Sequence, residues 1–348
     1  MRIGNREIGP GKPALLIAEA GVNHNGDLET AHKLVDAAAD AGADCVKFQT
    51  WITDNICAPG AGKAAYQNAN SPQDDDQYAM LKRLELPFEW HFELKEHCRQ
   101  RGILFLSTPD DIQSAEFLVK LGVPALKVGS AELTNLPHLR RMAQMGLPLI
   151  LSTGMADLQQ VRSALTAVAA ANPVEVALLH CVSAYPAPEE EMNLRAIHTL
   201  RNEFGVPVGL SDHTEGDIAP VTAVGIGMEI WEKHITLDRN LPGPDHAASI
   251  EPHAFKELVH RIRRAEKMLG TGIKQPSRSE TSTQQAVRRV LLYTMPLEPG
   301  AKLREDHLAA LRTGHEGLGV EETDALIGRV LARHVQAGEP AAWEDFTT

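Results

Sequence analysis

Two histidines close consecutive apolar runs. His213 ends Val206-Pro-Val-Gly-Leu-Ser-Asp-His-Thr214, and His234 ends Met228-Glu-Ile-Trp-Glu-Lys-His234. Imidazoles at neighbouring strand ends can converge on a divalent metal; the alternative is a pair of hydrogen-bonded core histidines. Two protein imidazoles would leave coordination positions for water and substrate oxygens, a Lewis-acid arrangement. Asp212 and Glu232 lie beside them as groups that could orient the rings. Lys47 and Lys127 also terminate apolar runs, among Thr108, Ser130, Ser152 and Ser183. A strand-end lysine can form a Schiff base or hold an anion. Hydroxyls and backbone N–H groups around two such lysines favour a phosphate or phosphate-plus-carboxylate group. Asp245, in Leu241-Pro-Gly-Pro-Asp-His246, sits on a loop stiffened by proline. It is either an acceptor for a polyhydroxylated substrate or a structural turn residue. His180 is expected as a pocket hydrogen bonder rather than an outer-face residue.

The elements that must carry these groups alternate. Short apolar runs occur at 14–18, 45–48, 103–106, 125–128, 149–151, 175–179, 206–210 and 228–231. Helical patterns fall between them, among them 28–41, 88–101, 111–121, 136–144, 158–169 and 218–225, with a last amphipathic stretch at 252–269. Eight strand-helix units predict an α/β fold of the (β/α)8 TIM-barrel type. An open doubly wound sheet is the competing architecture, but no Gly-x-Gly-x-x-Gly follows the first run. Every run hands over to polar residues at its C-terminal end, the face that carries chemistry in barrel enzymes. The polar stretch from Pro59 to Tyr78 interrupts the repeat and reads as a lid or substrate segment. The expected division is a barrel at 1–270, a linker at 271–286 and a small β-rich unit at 287–348. In that unit 290–294 reads as a strand and 306–311 as a short helix, with too little core to stand alone.

Composition narrows the class. The chain has 348 residues, 43% hydrophobic, and a formal net charge of -12, which argues against a nucleic-acid or anionic-membrane surface. The first residues lack the apolar run of a signal peptide, and no stretch is long and apolar enough to span a bilayer. The four cysteines show no Cys-x-x-Cys pairing, and Cys45 and Cys181 lie within apolar runs. The expected compartment is the cytoplasm.

The chain resembles the sialic acid synthase family, of the N-acetylneuraminate and N,N'-diacetyllegionaminate synthase type. The resemblance rests on Ile17-Ala-Glu-Ala-Gly-Val-Asn-His-Asn-Gly-Asp27, Val46-Lys-Phe-Gln-Thr50, Phe105-Leu-Ser-Thr-Pro109, Lys127-Val-Gly-Ser-Ala-Glu132, Leu151-Ser-Thr-Gly-Met155, Gly209-Leu-Ser-Asp-His-Thr214 and Glu232-Lys-His-Ile-Thr-Leu-Asp238. It implies condensation of phosphoenolpyruvate with an N-acylated amino sugar in its open aldehyde form, with loss of phosphate by C–O cleavage. Mn2+ or Mg2+ would be held by His213 and His234. Lys47, Thr108, Lys127, Ser130, Ser152, Ser183 and Ser211 would line the phosphoenolpyruvate site. Glu19, Gln49, Tyr185 and Asp245 would lie toward the sugar or the reacting centre, Glu19 as the candidate to move a proton or orient water. The resemblance also implies a C-terminal antifreeze-like SAF domain and a domain-swapped homodimer in which Arg312 reaches the partner's sugar site. Around Arg312 the chain reads Leu311-Arg-Thr-Gly-His-Glu-Gly317, where the family commonly has Lys-Arg-Pro-Gly-x-Gly. A lysine Schiff-base aldolase acting with pyruvate and a non-catalytic sugar-binding protein are the competing functions.

Overall fold

The computed structural model describes residues 1–347, the side chains of Ala65, Tyr66 and Ala69 excepted. Those three fall in the expected lid segment, and Thr348 at the end of the expected C-terminal unit also lies outside the described residues. Two compact units divide after Gly270.

The first unit is built on eight parallel strands: β1 Leu15–Gly21, β2 Cys45–Thr50, β3 Leu104–Pro109, β4 Leu126–Val128, β5 Leu149–Ser152, β6 Val176–Cys181, β7 Val208–Asp212 and β8 Ile230–His234. They form one sheet in the order β3-β2-β1-β8-β7-β6-β5-β4, with last strand paired to first. β3 and β4 lie in contact and bring the sheet nearly to closure. This is the expected TIM-barrel architecture.

Alternation along each strand explains how one sheet makes both a core and a site. Leu15, Ile17, Cys45, Leu106, Ala125, Ile150, Ala177, Leu179 and Ile230 point inward and fill the lower barrel, where Ile3 and Ile8 join them from the N-terminal segment. The residues next along the same inward rows are Glu19, Lys47, Thr108, Lys127, Ser152, Cys181, Ser211 and Glu232. The inside of the barrel is therefore apolar below and polar above. The outward rows, with Ala18, Val46, Phe48, Val128, Leu151, Leu210 and Trp231, join the helices in a second core. Leu28–Asp40 illustrates the local logic. Asp27 caps it through Thr30 N, and Ala31, Leu34, Val35 and Ala38 form its buried stripe. Gly102 and Gly122 end their helices in the left-handed conformation.

Two local features of this unit differ from the sequence expectation. A helix at Ala196–Phe204 fills the sixth connection, although only Ile197 and Leu200 on it are buried, too few apolar positions to show a periodicity. His180 lies on the outward row of β6 and its Nε2 meets the Met192 carbonyl at 2.7 Å; it is not a pocket residue. Its neighbours Leu179 and Cys181 take the inward positions, and the period of two excludes it.

The second unit contains a strand Val290–Tyr293 paired antiparallel with Leu308–Leu311. The expected helix over 306–311 is thus corrected to a single 3-10 turn, Glu305–His307, followed by a strand. Four apolar residues gain more from a ladder than from a helix too short to repay nucleation. The expected linker contains a short helix, Thr281–Val287. The unit also has its own core: Leu291, Tyr293, Leu297, Leu303, Leu326, Leu331, Val335, Ala341 and Phe346 pack together. Tyr293 Oη donates to buried Asp345 at 2.9 Å. The sequence does not reveal this core, because its members are spread over isolated bridges rather than gathered in long runs. Among the described residues no helix is long and apolar enough to cross a membrane.

Candidate active site

The upper ends of the strands enclose a cavity of about 260 Å³. Its wall includes Glu19, Lys47, Gln49, Thr108, Lys127, Ser130, Ser152, Ser183, Tyr185, Ser211, His213 and His234. Register explains the convergence: Glu19 pairs with Lys47 on one side and with His234 on the other, and Gln49 pairs with Thr108. The β1–β2 register shifts between Glu19 and Gly21. There the left-handed Gly21 leaves room that a Cβ would fill, within 3.3–3.4 Å of Glu19 Oε1, Gln49 Nε2 and His234 Nδ1.

At one end of the cavity sit both lysines, buried. Lys47 Nζ donates to Thr108 Oγ1 at 2.7 Å, is ion-paired with Glu19, and lies 3.8 Å from Glu232. Lys127 Nζ donates to Ser152 Oγ at 2.7 Å and lies 3.6 Å from the other oxygen of Glu232. Ser211 donates to Glu232 at 3.2 Å. Glu232 therefore bridges the two ammonium groups. Burial opposes its ionisation, but Lys127 and Lys47 outweigh burial and hold it at about 2. Burial also disfavours the Lys47 ammonium, yet Glu19 and Glu232 raise its pKa above the ordinary lysine value. Lys47, kept charged, is suited to an anion and poorly suited to imine formation, whereas burial, opposed by Glu232, lowers the pKa of Lys127. Ser130 receives the Gly154 N–H at 3.1 Å, which fixes one hydroxyl on this wall.

Glu19 stands between the two ends. It accepts from Gln49 at 2.9 Å, and burial, opposed by Lys47, pushes it up to about 7. A carboxyl near neutrality can exchange a proton at working pH.

The other end is aromatic. The rings of His213 and His234 lie 5.6 Å apart, and Tyr185 packs 4.2 Å from His213 and 6.0 Å from His234. His213 Nδ1 meets the Val182 carbonyl at 2.8 Å. As a donor there it would leave Nε2 with a free lone pair. His234 Nδ1 is buried with no hydrogen-bond partner, 3.9 Å from Asp245 Oδ2. Burial raises the Asp245 carboxyl to about 6. One imidazole oriented through its far nitrogen and one orphaned buried nitrogen form a donor set that fits a divalent ion. Among the described residues no three of His, Cys, Asp and Glu are arranged to hold a metal ion, so such an ion would complete its shell with water or substrate.

Sequence reasoning left two wall residues, Asp110 and Cys181, without a role and gave a third, Glu232, the wrong neighbours. Glu232 was grouped with the histidines, whereas it faces the lysines; counting back by two from His234 along the inward row would have placed it. Asp110 follows the Ser-Thr-Pro run of β3 and lines the lysine end, and burial, opposed by Lys47, raises it to about 7. Cys181 lies 3.8 Å from His213 Nδ1. Asp212 does not turn toward the site. It accepts from Thr214 and from Lys233 at 3.0 Å, because its outward position puts it behind the sheet. Arg312 is exposed, just beyond the strand Leu308–Leu311 of the second unit.

Comparison with known proteins places this site in context. The family model described as the NeuB family matches residues 34–274, and the SAF domain matches 288–347. The chain is 46% identical over 350 residues to the N,N'-diacetyllegionaminic acid synthase of Legionella pneumophila, covering 98% of each chain. It is 41% identical over 330 residues to the synthase of the same name from Campylobacter jejuni, covering 94% of this chain and 98% of that one. Among solved structures it is similar to the N-acetylneuraminic acid synthetase of Leptospira borgpetersenii in complex with citrate. That match has 35% identity and a TM-score of 0.72, over 82% of this chain and 96% of the other.

Proposed function

The chain belongs to the NeuB family, and from that premise we propose that it condenses phosphoenolpyruvate with an open-chain 2,4-diacetamido-trideoxymannose. The products are a nine-carbon 2-keto sugar acid of the N,N'-diacetyllegionaminate type and inorganic phosphate. The observation that carries this reading is a single cavity with two buried lysines among hydroxyls at one end and two imidazoles with an aromatic ring at the other. The names of the two curated relatives favour the diacetamido sugar over N-acetylmannosamine.

Lys47 and Lys127, with Thr108, Ser130, Ser152, Ser183 and Ser211, hold the carboxylate and phosphate of phosphoenolpyruvate. They place its enol carbon against the aldehyde. That carbon forms the new C–C bond and the aldehyde oxygen takes up a proton. Water adds at C2 and gives up a proton, and the C2–O bond breaks to release phosphate. Glu19 moves a proton or orients the water, and Gln49, Tyr185 and Asp245 bind the sugar. Mn2+ or Mg2+ held by His213 and His234 would polarise the aldehyde as a Lewis acid.

The same reading includes a cytoplasmic location, supported by four unpaired thiols, and a domain-swapped homodimer in which Arg312 serves the partner's sugar site. Mixing Arg312→Ala with His213→Ala chains tests the exchange. One heterodimer site would carry both lesions and the other neither, so activity should partly return. Confirmed subunit exchange without recovery contradicts the swap.

The reaction itself is tested by offering N-acetylmannosamine, 2,4-diacetamido-trideoxymannose and the corresponding altrose sugar, each with phosphoenolpyruvate and manganese. Phosphate release and product mass should be greatest with the diacetamido-mannose sugar. Phosphate release with none of the three contradicts the proposed reaction.

A further inference from the structure

The polar insertion after β2 is fastened to the loop that carries Asp245. Its helix Ala65–Asn70 ends at a residue that makes two bonds across the chain. Asn70 Nδ2 donates to the Pro244 carbonyl at 3.0 Å, and the Asn70 carbonyl accepts from Gly243 N at 3.3 Å. On its other side the same loop accepts from Asn25 Nδ2 at the Pro242 carbonyl, at 3.0 Å. Below it, Ser249 Oγ donates to the Asp245 carbonyl at 2.7 Å, and Ser249 is held in turn by Asn23. Gly243 sits at φ +151, where a Cβ would press on His246 and Asn25, so the loop is packed closely against both and only glycine fits there.

The insertion is itself anchored. Lys63 Nζ donates to the Ser71 carbonyl at 2.7 Å, Arg83 pairs with buried Asp74 at 2.8 Å, and Met80 and Leu84 pack with Val22 and Trp51. A continuous set of contacts thus runs from the insertion through Asn70 to the backbone on which Asp245 is mounted.

We propose that Asn70 is a positioning residue for sugar selection: it clasps the Pro242–Asp245 loop and so fixes the Asp245 carboxylate opposite His234. The inference rests on the proposed role of Asp245 in holding the sugar. It gives the insertion a task distinct from covering the site, since its end sets where the acceptor for the sugar stands. Asn70 itself need not touch substrate.

The test is a double-mutant cycle on the full-length protein with manganese, phosphoenolpyruvate and 2,4-diacetamido-trideoxymannose. Asn70→Ala deletes the bond to Pro244 and should raise the sugar KM about three- to tenfold, the range of one neutral hydrogen bond. The KM for phosphoenolpyruvate should stay unchanged, and the melting temperature should fall by no more than about 3 °C. Asn70→Asp should be worse, because a carboxylate then faces the Pro244 carbonyl. Asp245→Asn should raise the sugar KM by itself, and adding Asn70→Ala to it should cost little more, because both act through one group. Hydrogen exchange over residues 241–246 should quicken in Asn70→Ala. If Asp245→Asn impairs sugar use and Asn70→Ala does not, the clasp is wrong while the Asp245 role stands. Full additivity also overturns the clasp, since Asn70 would then act separately. If Asp245→Asn leaves sugar use intact, both fall.

Discussion

The lysine end and the imidazole end of the cavity are finished to different degrees. Lys47 and Lys127 arrive with their partners in place: Thr108, Ser152 and the bridging Glu232 satisfy both ammonium groups. At the other end the buried Nδ1 of His234 has no partner, and the Asp245 carboxylate stands 3.9 Å away. The contrast teaches how the two substrates are treated. In the proposed reaction an anion entering the lysine end would meet two ammonium groups whose charge is already partly balanced by Glu232, so it would be positioned without being held too tightly. On the same reading the imidazole end would receive groups that come with the reaction, and its contribution would lie in the chemical step.

If that division is correct, damage at the two ends should separate in kinetics. The largest effect is expected from the double change His213→Ala with His234→Ala. Lewis-acid assistance contributes several kcal/mol to such a step, so turnover should fall by roughly a thousandfold or more. The melting temperature should barely move. Phosphate release within tenfold of the unmodified protein would break the comparison at its stronger end.

Lys127→Ala should act on the other side. Charge-assisted hydrogen bonds contribute about 2 kcal/mol, so phosphoenolpyruvate affinity should fall roughly thirtyfold with the sugar KM little altered. Calorimetric titration checks it, and an unchanged affinity would remove Lys127 from the cradle. Gly21→Ala should be the change that does not separate, because the new Cβ meets Glu19, Gln49 and His234 together at a left-handed position. Stability should drop by about 1–2 kcal/mol, with both substrates' KM rising. A rise confined to one substrate would show the two ends to be more independent than their shared glycine suggests.

Much of this division was legible in the chain. The period of two along eight short runs marks which residues face inward, and polar residues at successive run ends mark the face that carries the site. Glu232 is read beside the wrong partners and Asp110 is left without a role for one physical reason. What a carboxylate does in a cavity depends on which charges surround it, and Lys47 and Lys127 come from strands far away in sequence. The Asn70 clasp was equally hidden, since a bond to a carbonyl 174 residues away leaves no local pattern. In the C-terminal unit, isolated bridges bury residues whose spacing follows neither helix nor strand, so its core was underestimated.

The smallest expected effect is a pH dependence at the lysine end. Burial, opposed by Lys47, raises both Glu19 and Asp110 to about 7. Both carboxyls gain negative charge as the pH rises through neutrality. Raising the pH therefore adds negative charge around a bound anion, and phosphoenolpyruvate affinity should weaken by about threefold, a modest screened interaction. Asp110→Asn should flatten the profile. Affinity that strengthens between pH 6 and 8 would reverse the assigned electrostatics.

The division of labour is tested most directly by titrating phosphoenolpyruvate, in a calorimeter, into the His213→Ala/His234→Ala protein, whose turnover should be severely reduced. The expected result is an affinity within about threefold of the unmodified chain, because the cradle of Lys47, Lys127 and their hydroxyls is untouched. Loss of phosphoenolpyruvate binding in that protein would contradict the account, since the imidazole end would then be holding the anion as well.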